Sequence, residues 1–214
     1  MEYPKIETLY NRDEKTFKVK VDELRLPEFE LIKRWHITEK VDGTNVRVFW
    51  NCETQTVTFG GRTDAAQMPV SLMTYLQGTF HPEMFSDFTA NAILYGEGYG
   101  PKIQKGGGSY RNDVSFRLFD VSVGSWWLET DVVERVAERM GIATVPWLGV
   151  HKELPRSTQD LDFILGGNCS GSSVTALQDG GSGCRAEGIV ARTSPLLLTR
   201  SGQRLMWKLK YKDF

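Results

Sequence analysis

Histidine and cysteine are scarce, and their placement excludes several chemistries. The 214 residues hold three histidines, His36, His81 and His151, none within four residues of another, so a metal cage built on imidazoles is not expected. Three scattered cysteines, Cys52, Cys169 and Cys184, contain no Cys-x-x-Cys pair. That argues against a zinc site or a disulfide framework and for free thiols in a reducing, cytoplasmic setting. Long apolar runs are also missing. The most apolar stretch, Pro195-Leu196-Leu197-Leu198, falls far short of a membrane span, and Met1 to Lys5 lacks the apolar stretch of a secretion signal. No membrane partner is expected. Finally, neither charge dominates: 26 basic and 27 acidic residues leave a net charge of −1. A protein that coats nucleic acid through a generally basic surface is therefore not expected, and any polynucleotide contact should be local to a site.

What remains is an ordinary globular composition, 40% hydrophobic and 25% charged. The length, the lack of an internal repeat and the lack of a clear break lead to one domain over residues 1–214, a monomer in the simplest case. Residues 1–36 show no clean period, with Pro4 and Pro27 interrupting any long helix and Val21–Phe29 as a short element. From Ile37 the text turns β-like. Val46, Val48 and Trp50 alternate with Arg47 and Phe49, and the stretch 46–59 predicts a hairpin. A helix is expected within Val70–Gln77, and strands over Ala92–Tyr95 and Phe116–Val121. A second helix spans Asp131–Met140, with Thr130 as N-cap and Gly141 as stop. Ser157 caps a third that runs through Leu165. Residues 166–183, rich in glycine and serine, read as a mobile loop, and strands over Ala186–Ala191 and Leu205–Leu209 complete the chain. The six tryptophans are read as core.

Against this background one stretch stands out: Thr38-Glu39-Lys40-Val41-Asp42-Gly43-Thr44-Asn45, a lysine followed by Asp-Gly between two β-type runs. A strand-end lysine is ordinarily a solvated surface charge. It is also a side chain whose amine, held in a cleft, becomes a nucleophile. Five further features follow in order. Arg62 sits in the glycine turn Gly60-Gly61-Arg62. Glu97 lies between glycines in Leu94-Tyr95-Gly96-Glu97-Gly98, where a ligand can approach the backbone closely. Phe119 precedes Asp120 in an apolar strand and could offer a face to a base. Glu187-Gly188-Ile189-Val190 sets a carboxylate at a strand tip, a reasonable holder of hydrated Mg²⁺. Lys208-Leu209-Lys210 puts two ammonium groups on one strand face, with Trp207 and Leu209 on the other. Each alone has a bland reading as turn, core or solvated edge.

Together, in this order over residues 37–210, these features resemble motifs I, III, IIIa, IV and V of the covalent nucleotidyltransferases. That superfamily comprises DNA ligases, RNA ligases and capping enzymes. Glu39 directly before Lys40, Gly96-Glu97, Leu118-Phe119-Asp120 and Tyr3-Pro4-Lys5-Ile6-Glu7 resemble the ATP-dependent RNA ligase branch of phages and editing enzymes. The resemblance implies an α+β nucleotidyltransferase adenylation fold, largely antiparallel sheets flanked by helices. It also implies ATP and Mg²⁺ (or Mn²⁺) as cofactors and RNA ends, nicked duplexes included, as partners. Lys40 would attack the α-phosphorus to form lysyl–AMP. AMP would pass to a 5′-phosphate, and a 3′-hydroxyl would then seal the strand. Glu187, Lys208 and Lys210 join Lys40 as catalytic residues, and a second lysine beside Lys40 would ease its deprotonation. Glu39, Val41, Asn45, Arg62, Glu97 and Phe119 complete the nucleotide contacts. Glu187 and Asp42, through water, hold the metal, and Arg62 and Gln104 lie near the RNA ends. Four residues follow Lys210, so no C-terminal OB or accessory domain is expected within the chain, and a separate accessory protein becomes a further partner. A DNA nick ligase, a capping-type guanylyltransferase and a non-catalytic nucleotide- or RNA-binding module are the competing readings.

Overall fold

A computed structural model describes residues 2–166 and 171–214. In chain order the elements begin with β1 (Glu7–Thr8), β2 (Tyr10–Arg12), β3 (Val19–Leu24) and β4 (Trp35–Lys40). Next come β5 (Thr44–Asn51), β6 (Thr56–Gly60), α1 (Val70–Thr79), β7 (Ala92–Tyr99), β8 (Ser115–Val123), β9 (Trp126–Trp127), α2 (Thr130–Met140) and β10 (Ala143–Thr144). The chain closes with β11 (Trp147–His151), α3 (Thr158–Ile164), α4 (Val174–Gln178), β12 (Gly188–Thr193) and β13 (Met206–Lys210). This is a mixed α+β protein, mostly sheet, and its strand pairs are antiparallel except for β1 with β13 and β10 with β8.

The chain forms two compact units, where the sequence leads to a single domain. The first comprises residues 1–4 and 42–145, and the second residues 5–41 and 146–214. Each is assembled from segments remote in sequence, so no linker composition marks the joints at 4/5, 41/42 and 145/146.

The first unit carries the sheet β10-β8-β7-β5-β6, with β9 on the edge of β8. The alternation of Val46, Val48 and Trp50 does what the period dictates: these side chains enter a core with Leu94, Phe116 and Leu118, against Leu72 and Leu76 of α1 and Val133 and Ala137 of α2. Helix α2 ends as its sequence demands, with Gly141 at φ 64° closing the last turn. Its start differs from expectation. Thr130 is the first helical residue, Glu129 occupies the cap position, and no side chain closes it.

The second unit carries the sheet β1-β13-β12-β4-β11 and the two-stranded ribbon β2-β3. Its core gathers Phe29, Trp35, Ile37, Leu161, Ile189, Trp207 and Leu209, with Trp35 edge-on to both Phe29 and Trp207. Ser157 caps α3 through a reciprocal box with Asp160. The glycine-serine stretch is not all loop, because Ser173 caps the short helix α4 inside it. Cys169 and the rest of 167–170 lie outside the described residues, while Cys52 is a half-buried free thiol. Among the described residues no helix is long and apolar enough to cross a membrane.

The tryptophans divide: Trp35, Trp50 and Trp207 are core, but Trp126 is 77% exposed. Trp35→Ala should therefore lower unfolding free energy by about 3–5 kcal/mol in urea titration, from lost transfer energy and the cavity left behind. Trp126→Ala should stay within about 0.5 kcal/mol of the parent.

Candidate active site

Lys40 is the last residue of β4, and the register places it with surgical economy of space. Across the centre of the second unit's sheet, Gly188 of β12 pairs with Lys40 on one side and Lys210 on the other. One row further, Val190 pairs with Thr38 and Lys208. Lys40, Lys208 and Lys210 thus share one sheet face, while Trp207, Leu209 and Ile37 enter the core behind it. Gly188 has no alternative: a Cβ there would lie 2.1 Å from the Leu209 carbonyl oxygen and 2.7 Å from Lys210 Cα.

Glu187, one residue before this row, fills the space between the two amines. Lys40 Nζ donates to Glu187 Oε2 at 2.5 Å, and Lys210 Nζ donates to Oε1 of the same carboxylate. Burial by itself would raise the Glu187 carboxyl, but the charge and hydrogen bonds of Lys40 and Lys210 outweigh it and hold the group below the usual carboxylate range. The sequence leads to cations side by side, whereas here they meet through a shared carboxylate.

The sequence also places Glu39 at the nucleotide. Alternation along β4 turns its side chain to the opposite face from Lys40, and it is almost wholly buried. Ser173 Oγ donates to its Oε1 at 2.5 Å and the Thr175 amide to its Oε2 at 2.9 Å. Burial raises this carboxyl, and those hydrogen bonds offset only part of the shift. The Glu39 carboxylate thus ties β4 to the start of α4. Val41 follows it, buried.

The remaining predicted residues belong to the first unit. Asp42 donates its amide to the Tyr110 hydroxyl at 3.2 Å. Gly43 is obligatory, since a Cβ would lie 2.3 Å from the Gly98 carbonyl oxygen and 2.9 Å from Glu97 Cγ. Asn45, Glu97 and Arg117 stand in one row across β5, β7 and β8, on the face away from the apolar core. Asn45 Oδ1 is buried without a hydrogen-bond partner. Gln104 Nε2 reaches back to the Gly43 carbonyl at 3.0 Å, so the glycine-rich loop is tied to the Asp-Gly turn. Phe119 is the extra residue of a β-bulge: Leu118 pairs with Gly96 and Asp120 with Tyr95. Bulges re-aim side chains, commonly beside functional sites. Tyr3 braces this one, its hydroxyl donating to Asp120 at 2.9 Å and its ring standing edge-on to Phe119 at 5.1 Å.

Two buried arginines escaped sequence reading. Arg47 donates from Nε to the Gly61 carbonyl at 2.6 Å and pairs with Asp64 at 2.8 Å, fixing the turn that displays the exposed Arg62. Arg117 donates to the Tyr99 hydroxyl at 3.0 Å and to the Thr144 carbonyl at 2.9 Å. An arginine within an alternating strand is the one available signal, and it reads equally as solvent-facing.

A strand-end amine thus shares a carboxylate with a second lysine, and a third lysine lies one row away on the same sheet face. The family model for RNA ligase matches residues 33–210, and the chain belongs to the RNA ligase family. No curated protein matches it by sequence. Among solved structures it is similar to Naegleria gruberi RNA ligase. A lysine-to-methionine variant with AMP and Mn aligns at TM-score 0.62 and 18% identity, over 97% of this chain and 61% of that one. A glutamate-to-alanine variant with ATP and Mn aligns at 0.65 and 15%, over 98% and 56%. A lysine-to-alanine variant with ATP and Mn aligns at 0.63 and 18%, over 99% and 64%. The chain thus spans less than two thirds of the length of these neighbours.

The Glu187 assignment carries a pH signature. A carboxyl held low in the folded state contributes stability that is present above its unfolded value, near 4.5, and is lost as pH falls through the lower folded value. Glu187→Gln should accordingly weaken the pH dependence of the melting temperature below about pH 4.5, measured by thermal denaturation across an acid series.

Proposed function

We propose that this chain is the nucleotidyltransferase module of an ATP-dependent RNA ligase. The observation that carries the reading is the row Lys40–Gly188–Lys210 with Glu187 seated between the amines. Lys40 Nζ, after losing its proton to solvent, attacks the α-phosphorus of ATP; a P–N bond forms, the bond to pyrophosphate breaks, and lysyl–AMP results. AMP then passes to a 5′-phosphate, and a 3′-hydroxyl displaces it to seal the strand. Negative charge builds on phosphate oxygens at every step, so the site needs fixed cations more than an acid–base pair. Lys208 and Lys210 supply them.

A carboxyl held low by two lysines is a weak base. We therefore assign Glu187 to organising cations rather than to taking the Lys40 proton. The donor set suits the divalent ion this chemistry uses. Among the described residues no three His, Cys, Asp or Glu side chains cluster to cage a metal, and a lone carboxylate fits an ion that keeps most of its waters and takes its other ligands from phosphates. Glu187 would hold it, Asp42 would contribute through water, and Mg²⁺ or Mn²⁺ would supply charge neutralisation on the transferring phosphate.

For the nucleoside, Asn45 offers a buried, unpartnered acceptor suited to a sugar hydroxyl. Glu97 stands opposite it, and Phe119 is re-aimed by its bulge as a base platform. Arg62 and Gln104 are assigned to the polynucleotide ends. Glu39 is assigned to holding the Lys40 strand, since its carboxylate is already engaged.

Incubation with α-labelled ATP and Mg²⁺, followed by a denaturing gel and peptide mapping, should place label on Lys40. Lys40→Arg keeps the charge but not the nucleophile and should lower labelling by at least about a thousandfold. Label from GTP instead would move the chemistry to capping. Absence of label from folded, metal-supplied protein would overturn the proposal for this chain.

A further inference from the structure

A second charged feature lies outside the chemistry above. In the second unit, β1, the β2–β3 hairpin and the end of β13 enclose an open groove of about 870 Å³. Eight lysines and arginines line it against four carboxylates. Its local balance is thus four positive charges, on a chain whose total is −1. The hairpin that forms its wall is pinned down: Arg12 pairs with buried Asp213 at 2.7 Å, and Lys18 Nζ donates to the Phe214 carbonyl at 2.6 Å. Lys208 and Lys210 line the same groove, so it is continuous with the phosphate-handling row. Beyond them it offers Lys5, Lys15, Lys20 and Lys212. Among the described residues Lys15 and Lys212 have no acidic partner, and Lys5 and Lys20 pair only with exposed or half-exposed glutamates.

The tip of the hairpin adds an aromatic group. Phe17 is 68% exposed and sits at φ 58°, a backbone region that bulky residues seldom occupy. The turn is held shut around it. The Phe17 amide donates to the Asp13 carbonyl at 2.9 Å, the Asp13 amide to the Lys18 carbonyl at 2.8 Å, and the Lys15 and Thr16 amides to the Asp13 carboxylate. The ring stands in water at the tip of this held turn, beside the groove's lining and two residues from Lys15, where it serves no packing purpose.

From these features we infer that the groove is a track for single-stranded polynucleotide, its phosphates on Lys15, Lys20 and Lys212 and a base stacked on Phe17. The combination of cations spread along a groove with an exposed aromatic platform is what single strands require. A single pyrophosphate would use only a fraction of the cations and nothing of the ring. The lining offers no row of buried polar groups for base edges, so binding should tolerate sequence. Which reaction the strand enters rests on the ligase reading; the binding does not.

The test is fluorescence anisotropy of nucleotide-free protein with a labelled, mixed-sequence single-stranded RNA across a salt series. Removing three phosphate contacts in Lys15→Ala/Lys20→Ala/Lys212→Ala should reduce the slope of log affinity on log salt by about 2. Phe17→Ala should weaken binding by roughly fivefold to a hundredfold with an unchanged slope. Both variants should keep the parent's melting temperature and its labelling of Lys40. Unchanged RNA affinity and slope in the triple variant would overturn the inference. So would a triple variant that binds RNA normally but loses inhibition by pyrophosphate, which would make the groove a leaving-group seat. RNA binding that depends on this groove, without any lysyl–AMP, would sink the ligase reading and leave the track standing.

Discussion

The shared carboxylate of Glu187 is the constraint on which the candidate site turns. Two ammonium groups on neighbouring positions of one sheet face repel, and in a half-buried setting that repulsion is poorly screened. Placing one carboxylate between them offsets part of that repulsion and holds the two amines in a fixed arrangement. The geometry follows from backbone register. β12 lies centrally between β4 and β13, its glycine stands between the two lysines, and the residue just before that glycine supplies the acid.

The first unit answers a different demand. Its sheet keeps one face for the apolar core and reserves the other for polar groups: Asn45, Glu97 and Arg117 in a row, Arg47 beneath the Arg62 turn, and a bulge at Phe119. Buried charge on such a face is tolerable only when each group has partners. The arginines take theirs from carbonyls, a tyrosine hydroxyl and Asp64. Asn45, a neutral member of the row, keeps a buried acceptor without a hydrogen-bond partner.

Much of this was legible in the sequence. The alternation around Val46–Trp50, the glycine stop of α2 and the serine cap of α3 are local rules, and local rules write themselves into short windows. The glycines of the two short motifs have a physical reason as well: Gly43 and Gly188 stand where contacts are closer than any side chain allows. What could not be read depends on partners far away. Glu39 is unremarkable until Ser173 and Thr175 close over it from 134 and 136 residues later. The short strands β1, β2 and β3 have no period of their own, and β1 exists because β13 gives it an edge. The helix α4 hides in a glycine-serine stretch because its stability comes from a cap and from burial of Ala176. The bulge at Phe119 is invisible because one extra residue leaves composition unchanged.

The interleaved course of the chain also bears on how the protein acquires its structure. The strand pair that aligns Lys40 with Gly188 joins segments on either side of the whole first unit, and its ion pair closes a sequence separation of 147 residues. Closing so long a loop from a disordered chain is slow, and non-local pairings dominate folding times. The first unit is nearly continuous in sequence, and its ends are tied into it, Asp42 through Tyr110 and Val145 through Leu118. Once it has formed, the intervening chain is no longer a long random coil but a folded spacer, and the search that brings β4 to β12 is correspondingly shorter. On this view Lys40 is set in place late, after residues 42–145 have already taken shape.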